Sequence, residues 1–363
     1  MDAVQPKLCD YFQAVERRFH AHAEMESTQD IRIAGRTLRF VFTDGERAAS
    51  IIQPFTGLLV DDALDQEPDA RFFYWTEDLD PYLPDSAGGG DLGVWTSADE
   101  TGYLNIMRGY SLMGADYQRS CYYICIEKDK SDLFETYSHA MIVSLFRWAI
   151  QNGMMLLHAA AVGVDGTGVL LGGYGGKGKS TLSVACLRSG LQFVSDDYTL
   201  LRKVALSAGG DACANDGSAA AVLPIMAEPL YRTVCLNPDM AELLNMDLPV
   251  LRTYEWRGDK RLYDASSCAF AEHLPIKGIV IPQFDPRIAG DADRPSEIIA
   301  VHPGRAITQI VHSSLTQFSV MRETSLVKEM LSYLSGLPVY RFVLGEDPMA
   351  NAMVLERFIR SLS

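Results

Sequence analysis

The chain has 363 residues, 48% of them hydrophobic, enough apolar material to pack a core in each of two domains. Its 32 lysines and arginines face 47 aspartates and glutamates, a formal charge of −15; this excludes a nucleic-acid binder, because phosphate backbones are held by clustered cations. Seven scattered cysteines without Cys-x-x-Cys spacing exclude a disulfide framework and a cysteine metal site. No apolar stretch is long and charge-free enough to span a bilayer, so no membrane partner is expected. The amino terminus shows no basic segment followed by an apolar run, and a cytoplasmic protein is expected.

Along the chain, Leu8, Tyr11, Phe12, Val15 and Phe19 recur at helical spacing, predicting a helix over 7–25. Strands over 31–34 and 38–42 flank Gly35-Arg36 as a hairpin. A helix is predicted over 46–60, followed by strands over 70–75, 93–96, 102–107 and 121–126, with a glycine-rich loop at 86–91. Phe72, Tyr74, Trp75 and Trp95 read as core residues. Alternation puts Cys121 and Cys125 on one strand face as ordinary reduced thiols. These elements predict a mixed α+β amino-terminal domain over 1–150. It ends in a helix over 131–152, with Ser131 as N-cap, Gly153 as stop and His139 on its surface.

The second domain, 151–363, opens on the most informative stretch. An apolar run over 156–164 and another over 169–171 are joined by Asp165-Gly166, a strong hairpin signal. If the turn centres there, antiparallel pairing carried past the second strand sets His158 across from Gly173. Gly173-Tyr174-Gly175-Gly176-Lys177-Gly178-Lys179-Ser180 then lies between a strand and a helix, a complete phosphate-binding loop in its proper setting. Glycines accept the positive φ angles that let several N–H groups face one phosphate chain, and the helix end adds favourable partial charge. Lys179 is expected to reach the β- and γ-phosphates of ATP, and Ser180 to ligate Mg²⁺. The nucleotide set is therefore Gly173, Gly175, Gly176, Gly178, Lys179, Ser180 and Thr181, whereas Lys177 reads as facing water.

The helix after the loop is expected to stop at Ser189-Gly190. A strand over 191–195 then delivers Asp196 and Asp197 to the rim where, in a parallel sheet, ligands bind. Two adjacent acids can divide the work: one, Asp197, holds the metal, while either accepts a proton from an attacking hydroxyl. His158 could orient that base. A turn and a satisfied core histidine would explain the same residues, but the convergence of loop, histidine and acids favours chemistry.

Further on, 206–220 reads as a loop beside the nucleotide site and 285–297 as another polar loop. Helices are predicted over 301–316 and 324–335. Between them and the core, Arg252, Arg257, Lys260 and Arg261 concentrate cations in an acidic chain. Lys260 and Arg261 either supply the extra cation that phosphoryl transfer needs or form a solvated basic turn with Asp259 and Glu255. Arg232 is a weaker candidate for that cation.

The run from 157 to 201 resembles the catalytic core of the HPr serine kinase/phosphorylase family and its divergent relatives, some of which modify peptides. It shares the histidine, small-residue strand, tight turn, phosphate loop, helix and Ser-Asp-Asp. The looser pattern through Pro224, Pro229, Lys260-Arg261 and 337–341 extends the similarity over 150–345. The resemblance implies an α/β, P-loop-containing HPr kinase/PEP carboxykinase-like catalytic domain. It also implies a catalytic cluster of His158, Asp196, Asp197 and Lys179 using ATP and Mg²⁺, and a possible homo-oligomer. Residues 1–150 do not resemble the amino-terminal domain of HPr kinases, so HPr itself is not implied as substrate. The expected activity is transfer of a γ-phosphoryl group to a hydroxyl, first a serine of a protein or peptide. The alternatives are a small-molecule kinase of the same fold, an ATP hydrolase or switch, and a nucleotide-binding regulator without catalysis.

Overall fold

The structure, a computed structural model, describes residues 8–22, 26–43, 45–60, 66–83, 94–130, 139, 141–204, 223–255, 258–284, 296–318 and 324–362. It is a mixed α/β protein built on mixed sheets and divides into two units, Met1–Asn152 and Gly153–Ser363. Among the described residues no helix is long and apolar enough to cross a membrane. The predicted loops at 86–91 and 206–220, most of 285–297, and Arg257 lie outside the described residues.

In the first unit, helix α1 (Leu8–His22) buries Leu8, Phe12, Val15 and Phe19 on one face, as their spacing dictates. Strands β1 (Ser27–Ile33) and β2 (Arg36–Phe42) form the predicted hairpin, but its turn centres on Ala34-Gly35, one residue early. Both turn residues have positive φ, 51° and 76°, and glycine suits the second position. Helix α2 (Gly45–Ile52) is shorter than the predicted 46–60, because Pro54 cannot continue its hydrogen bonding and opens a single tight turn instead.

Strands β3 (Ala70–Glu77), β4 (Val94–Ala98), β5 (Gly102–Met107), β6 (Ser111–Asp116) and β7 (Cys121–Glu127) complete a seven-stranded sheet among the described residues, in the order β1-β2-β3-β7-β6-β5-β4. Alternation along β3 and β7 sorts the aromatics. Phe40, Phe72 and Tyr122 stack at 4.9 and 4.7 Å on one face, while Phe73 and Phe12 stack on Tyr123 at 5.4 and 5.2 Å on the other. Cys121 and Cys125 share that second face as buried free thiols. Strand β6 is absent from the sequence prediction, since Ser-Leu-Met-Gly-Ala-Asp has no β-branched residue. Tertiary packing explains its glycine, for a Cβ on Gly114 would lie 2.3 Å from the Phe12 ring. Helix α3 (Ile142–Gln151) is the described part of the helix predicted over 131–152; Ser131 falls outside the described residues, and the chain leaves through Gly153 at φ 66°.

The second unit holds a nine-stranded mixed sheet among the described residues. Strand β9 (Ala160–Val164) and β10 (Thr167–Leu171) form the predicted hairpin around Asp165-Gly166, both at positive φ. Strand β11 (Gln192–Ser195) pairs with the other edge of β9, and β17 (Leu274–Gln283) runs parallel to β10. Helix α4 (Lys179–Arg188) covers this sheet together with α8 (Pro348–Arg360). Leu182, Val184, Ala185 and Cys186 of α4 join Val162, Val169, Leu355 and Ile359 in one core. The sheet's centre is made of small residues for a reason: a Cβ on Gly163 or Gly168 would meet a Leu274 methyl at 2.5 Å, and one on Gly172 would meet Ile310 at 2.4 Å.

Candidate active site

The sheet that carries the site is mixed, not parallel, yet the expected rim forms. Strands β10 and β11 are both antiparallel to the β9 between them, so both run the same way and end at the same edge. After β10 comes the glycine-rich loop over 173–178 and after β11 come Asp196 and Asp197.

The apolar run over 156–164 is not one strand. Strand β8 (Met154–Leu157) pairs with β12 (Thr199–Lys203), the chain breaks at His158-Ala159, and β9 then pairs with β10 and β11. The β9/β10 ladder therefore ends at Ala160 and Leu171, and His158 is not paired across from Gly173. Register survives the break all the same. Leu157 faces Thr199 before it and Ala161 faces Ser195 after it, four residues on along one side and four back along the other, as an antiparallel ladder requires. His158-Ala159 and Asp196 to Tyr198 are thus opposite links of one kinked ladder, fastened by the Thr199 hydroxyl donating to Ala159 O at 2.7 Å.

That kink places the histidine on the second aspartate. His158 Nε2 lies 2.8 Å from Asp197 Oδ1, and Lys179 Nζ donates to the same oxygen at 3.2 Å. His158 Nδ1 meets Ser313 Oγ at 2.6 Å, and its backbone N–H donates to Ser314 Oγ at 3.0 Å; both serines sit on helix α6 (Pro303–Gln317). His158 is 8% exposed. Burial, then the Lys179 charge, push its pKa below the ordinary value, against the pull of Asp197. A neutral ring fixes the tautomer by its neighbours: Nε2–H donates to Asp197, and Nδ1 accepts from Ser313.

Asp196 has different work. It is buried, with Oδ1 accepting from Ser183 Oγ at 2.6 Å and Oδ2 from Cys235 N at 2.9 Å. Burial, reinforced by the charge of Asp197, raises its pKa. The two acids do different things: Asp197 lines a cleft of about 490 Å³, and Asp196 ties α4 to strand β14 (Thr233–Leu236).

One wall of the cleft comes from the glycine-rich loop and the start of α4: Tyr174, Gly175, Gly176, Gly178, Lys179, Ser180 and Thr181 all line it. Gly176 and Gly178 have φ of 75° and 91°. Among the described residues, the backbone N–H groups from Tyr174 to Thr181 have no hydrogen-bond acceptor, and a Cβ added to Gly175 or Gly176 meets nothing within 4 Å. An open hollow lined by unengaged N–H donors, with a lysine beside it, fits a chain of phosphates. The hard oxygen donors Ser180 and Asp197 in the same cleft fit Mg²⁺, which takes one or two protein oxygens and fills its other positions with water and phosphate.

Of the two predicted outer cations, Lys260 lines the cleft and Arg261 does not. Both lie on strand β16 (Lys260–Asp264), where neighbours point to opposite faces. Arg232 lies away from the cleft, its guanidinium 4.4 Å from the centre of the Phe270 ring. Gly173 lines a separate cavity at the loop's start. His139 belongs to the first unit. Sequence reasoning missed Ser313, Ser314 and the Cys235 N–H, which no local pattern marks. It also missed Gln317, whose amide oxygen accepts from Tyr198 OH at 3.2 Å.

No protein-family model matches the sequence, and no curated protein matches it. Among solved structures the chain is similar to the Hpr(Ser) kinase/phosphatase from Coxiella burnetii, at 14% identity over 57% of this chain and 95% of that one, with a TM-score of 0.27. So loose a superposition carries no weight for chemistry, which rests on the residues of the cleft.

Proposed function

We propose that the chain is an ATP-dependent kinase that transfers the γ-phosphoryl group to a hydroxyl, with a serine of a protein or peptide as the first acceptor to consider. One observation carries this reading: the carboxylate of Asp197, in a cleft walled by the phosphate loop, shares a single oxygen with His158 and Lys179. A base held at hydrogen-bond distance from the loop's own lysine stands where an attacking hydroxyl and a terminal phosphate would meet.

In this reading the loop N–H groups and Lys179 bind the phosphates, and Ser180 and Asp197 would hold Mg²⁺. When bound, the metal neutralises charge on the β- and γ-phosphate oxygens. The acceptor hydroxyl gives its proton to Asp197, its oxygen forms a bond to the γ-phosphorus, and the bond from that phosphorus to the β,γ-bridging oxygen breaks, leaving ADP. His158 orients the carboxylate through Nε2–H and is itself held by Ser313. Lys260, which also lines the cleft, adds positive charge there.

The test is incubation of the purified protein with γ-labelled ATP and a peptide library or lysate, followed by identification of what acquires label. Label on serine-containing acceptors, lost in Lys179→Ala, is the expected result. Rapid ATP hydrolysis that no acceptor alters would replace the kinase with a hydrolase.

A further inference from the structure

A second cavity, of about 570 Å³, lies at the beginning of the phosphate loop, and Tyr174 lines both it and the cleft. Three cations from distant parts of the chain converge on it: Lys177 of the loop, Arg305 in the first turn of α6, and Arg341 of strand β19 (Val339–Val343). Among the described residues none of the three side chains makes an ion pair or a hydrogen bond. Three like charges around one hollow repel one another and focus a positive field into it, and the net charge of −15 shows that this is no general property of the surface. Ile281 and Val301 supply an apolar wall. The volume exceeds that of a single phosphate ion and falls in the range of small-molecule sites.

We infer that this cavity anchors the anionic part of the phosphoryl acceptor, so that the acceptor carries carboxylate or phosphate groups close to its reactive hydroxyl. The inference rests on the kinase reading above. The two arginines can grip such groups through paired N–H donors, and Lys177 adds a point charge. The acceptor's carbon skeleton lies against Ile281 and Val301, and its hydroxyl reaches past Tyr174 toward Asp197. An acidic peptide and a small polycarboxylate share this chemistry.

The experiment has two parts on the full-length protein. In the first, tricarballylate, a tricarboxylate with no hydroxyl to phosphorylate, is titrated calorimetrically in the presence of a non-hydrolysable ATP analogue. Binding is expected, weakened at least tenfold in the Arg305→Ala/Arg341→Ala variant and largely kept in Arg305→Lys/Arg341→Lys, while affinity for the analogue is unchanged. Equal binding to wild type and the alanine variant, or none to either, overturns the inference. In the second, transfer from γ-labelled ATP is compared among a serine peptide flanked by glutamates, the same peptide flanked by glutamines, and citrate. The expected result is a lower KM for an acidic acceptor, raised at least tenfold in the alanine variant with kcat little changed. Label on the glutamate peptide assigns a peptide source, and label on citrate a small-molecule one. Equal KM for acidic and neutral peptides sinks the anion anchor and leaves the kinase standing. No label on any acceptor, with tricarballylate binding still lost in the alanine variant, sinks the kinase reading instead. Both arginines are exposed, and a thermal melt of each variant verifies that it is folded.

Discussion

The two largest sheets among the described residues use opposite materials. The first unit fills both faces of its sheet with rings, the Phe40, Phe72 and Tyr122 stack on one side and Phe12, Tyr123 and Phe73 on the other. The second unit lines the centre of its sheet with Ala159 to Ala161, Gly163, Gly168 and Gly172. Rings supply buried area, which is where folding free energy comes from. Small residues supply close approach, and without it Leu274 and Ile310 could not reach the backbone around the loop. One sheet reads as scaffold, and the other spends its interior on holding a polar cluster in place.

If that division is right, the largest effects on activity come from the second sheet's rim with little change in stability. Lys179→Ala is expected to lower label transfer by about 10³-fold or more, with an unchanged melting curve. Asp197→Asn is expected to lower kcat by about 10²–10⁴-fold, while affinity for a fluorescent ATP analogue measured without Mg²⁺ persists, as equilibrium binding would reveal. A variant that turns over normally would remove Asp197 from the mechanism. Conversely, Phe72→Ala is expected to cost about 3–5 kcal/mol in denaturant unfolding, and a cost below about 1 kcal/mol would break the comparison from the other side.

Smaller effects separate the neighbouring polar groups. The folded-state pKa of His158 lies below the ordinary value of 6.5, so the unfolded chain takes up this proton first. Its contribution to stability is present above 6.5 and is lost as pH falls from there toward the folded value. Turnover should likewise stay flat down to 6.5 and decline only below it; His158→Gln should lower kcat and remove this part of the pH dependence of unfolding. Asp196 has the reverse sign. Its folded pKa is raised above 3.8, so its stabilising contribution is complete below 3.8 and lost as pH climbs through the folded value. Asn at 196 can accept from the Cys235 N–H and donate to Ser183, so Asp196→Asn should change stability at neutral pH by less than about 1 kcal/mol. It should also flatten the unfolding curve's pH dependence above 3.8. A loss as large as that of Asp197→Asn would place Asp196 in the chemistry as well.

The sequence makes these parts legible to different degrees. The glycine-rich turn over 173–178, the Asp165-Gly166 turn and the Gly190 stop are local, because each needs a particular backbone angle that glycine supplies cheaply, and as backbone features all three stand where the pattern puts them. Helix α1 was equally plain from its apolar spacing. The break at His158 was not, since nothing in an unbroken apolar run says that its two halves pair with different strands. Nor could an Asp-Asp dipeptide say which acid faces the cleft until the partners of Asp196, thirteen and thirty-nine residues away, were in place. Ser313 is harder still, 155 residues from the histidine it holds. Strand β6 failed for the same reason in the other unit, where the shape of Phe12 decides the fit.

The kinked ladder also bears on how the protein folds. His158 and Asp197 stand 39 residues apart in sequence, and the contact closes a loop whose entropy must be lost before the bond is made. No local nucleus can assemble it. The pair exists only in molecules whose β8–β12 and β9–β11 registers have both zipped correctly, and a slip of one residue on either side would turn a side chain away. Sites built from distant pairings form slowly and late. In the kinase reading, recovery of activity on refolding should therefore lag recovery of the helical signal, which local hydrogen bonds supply, and activity becomes a readout of register.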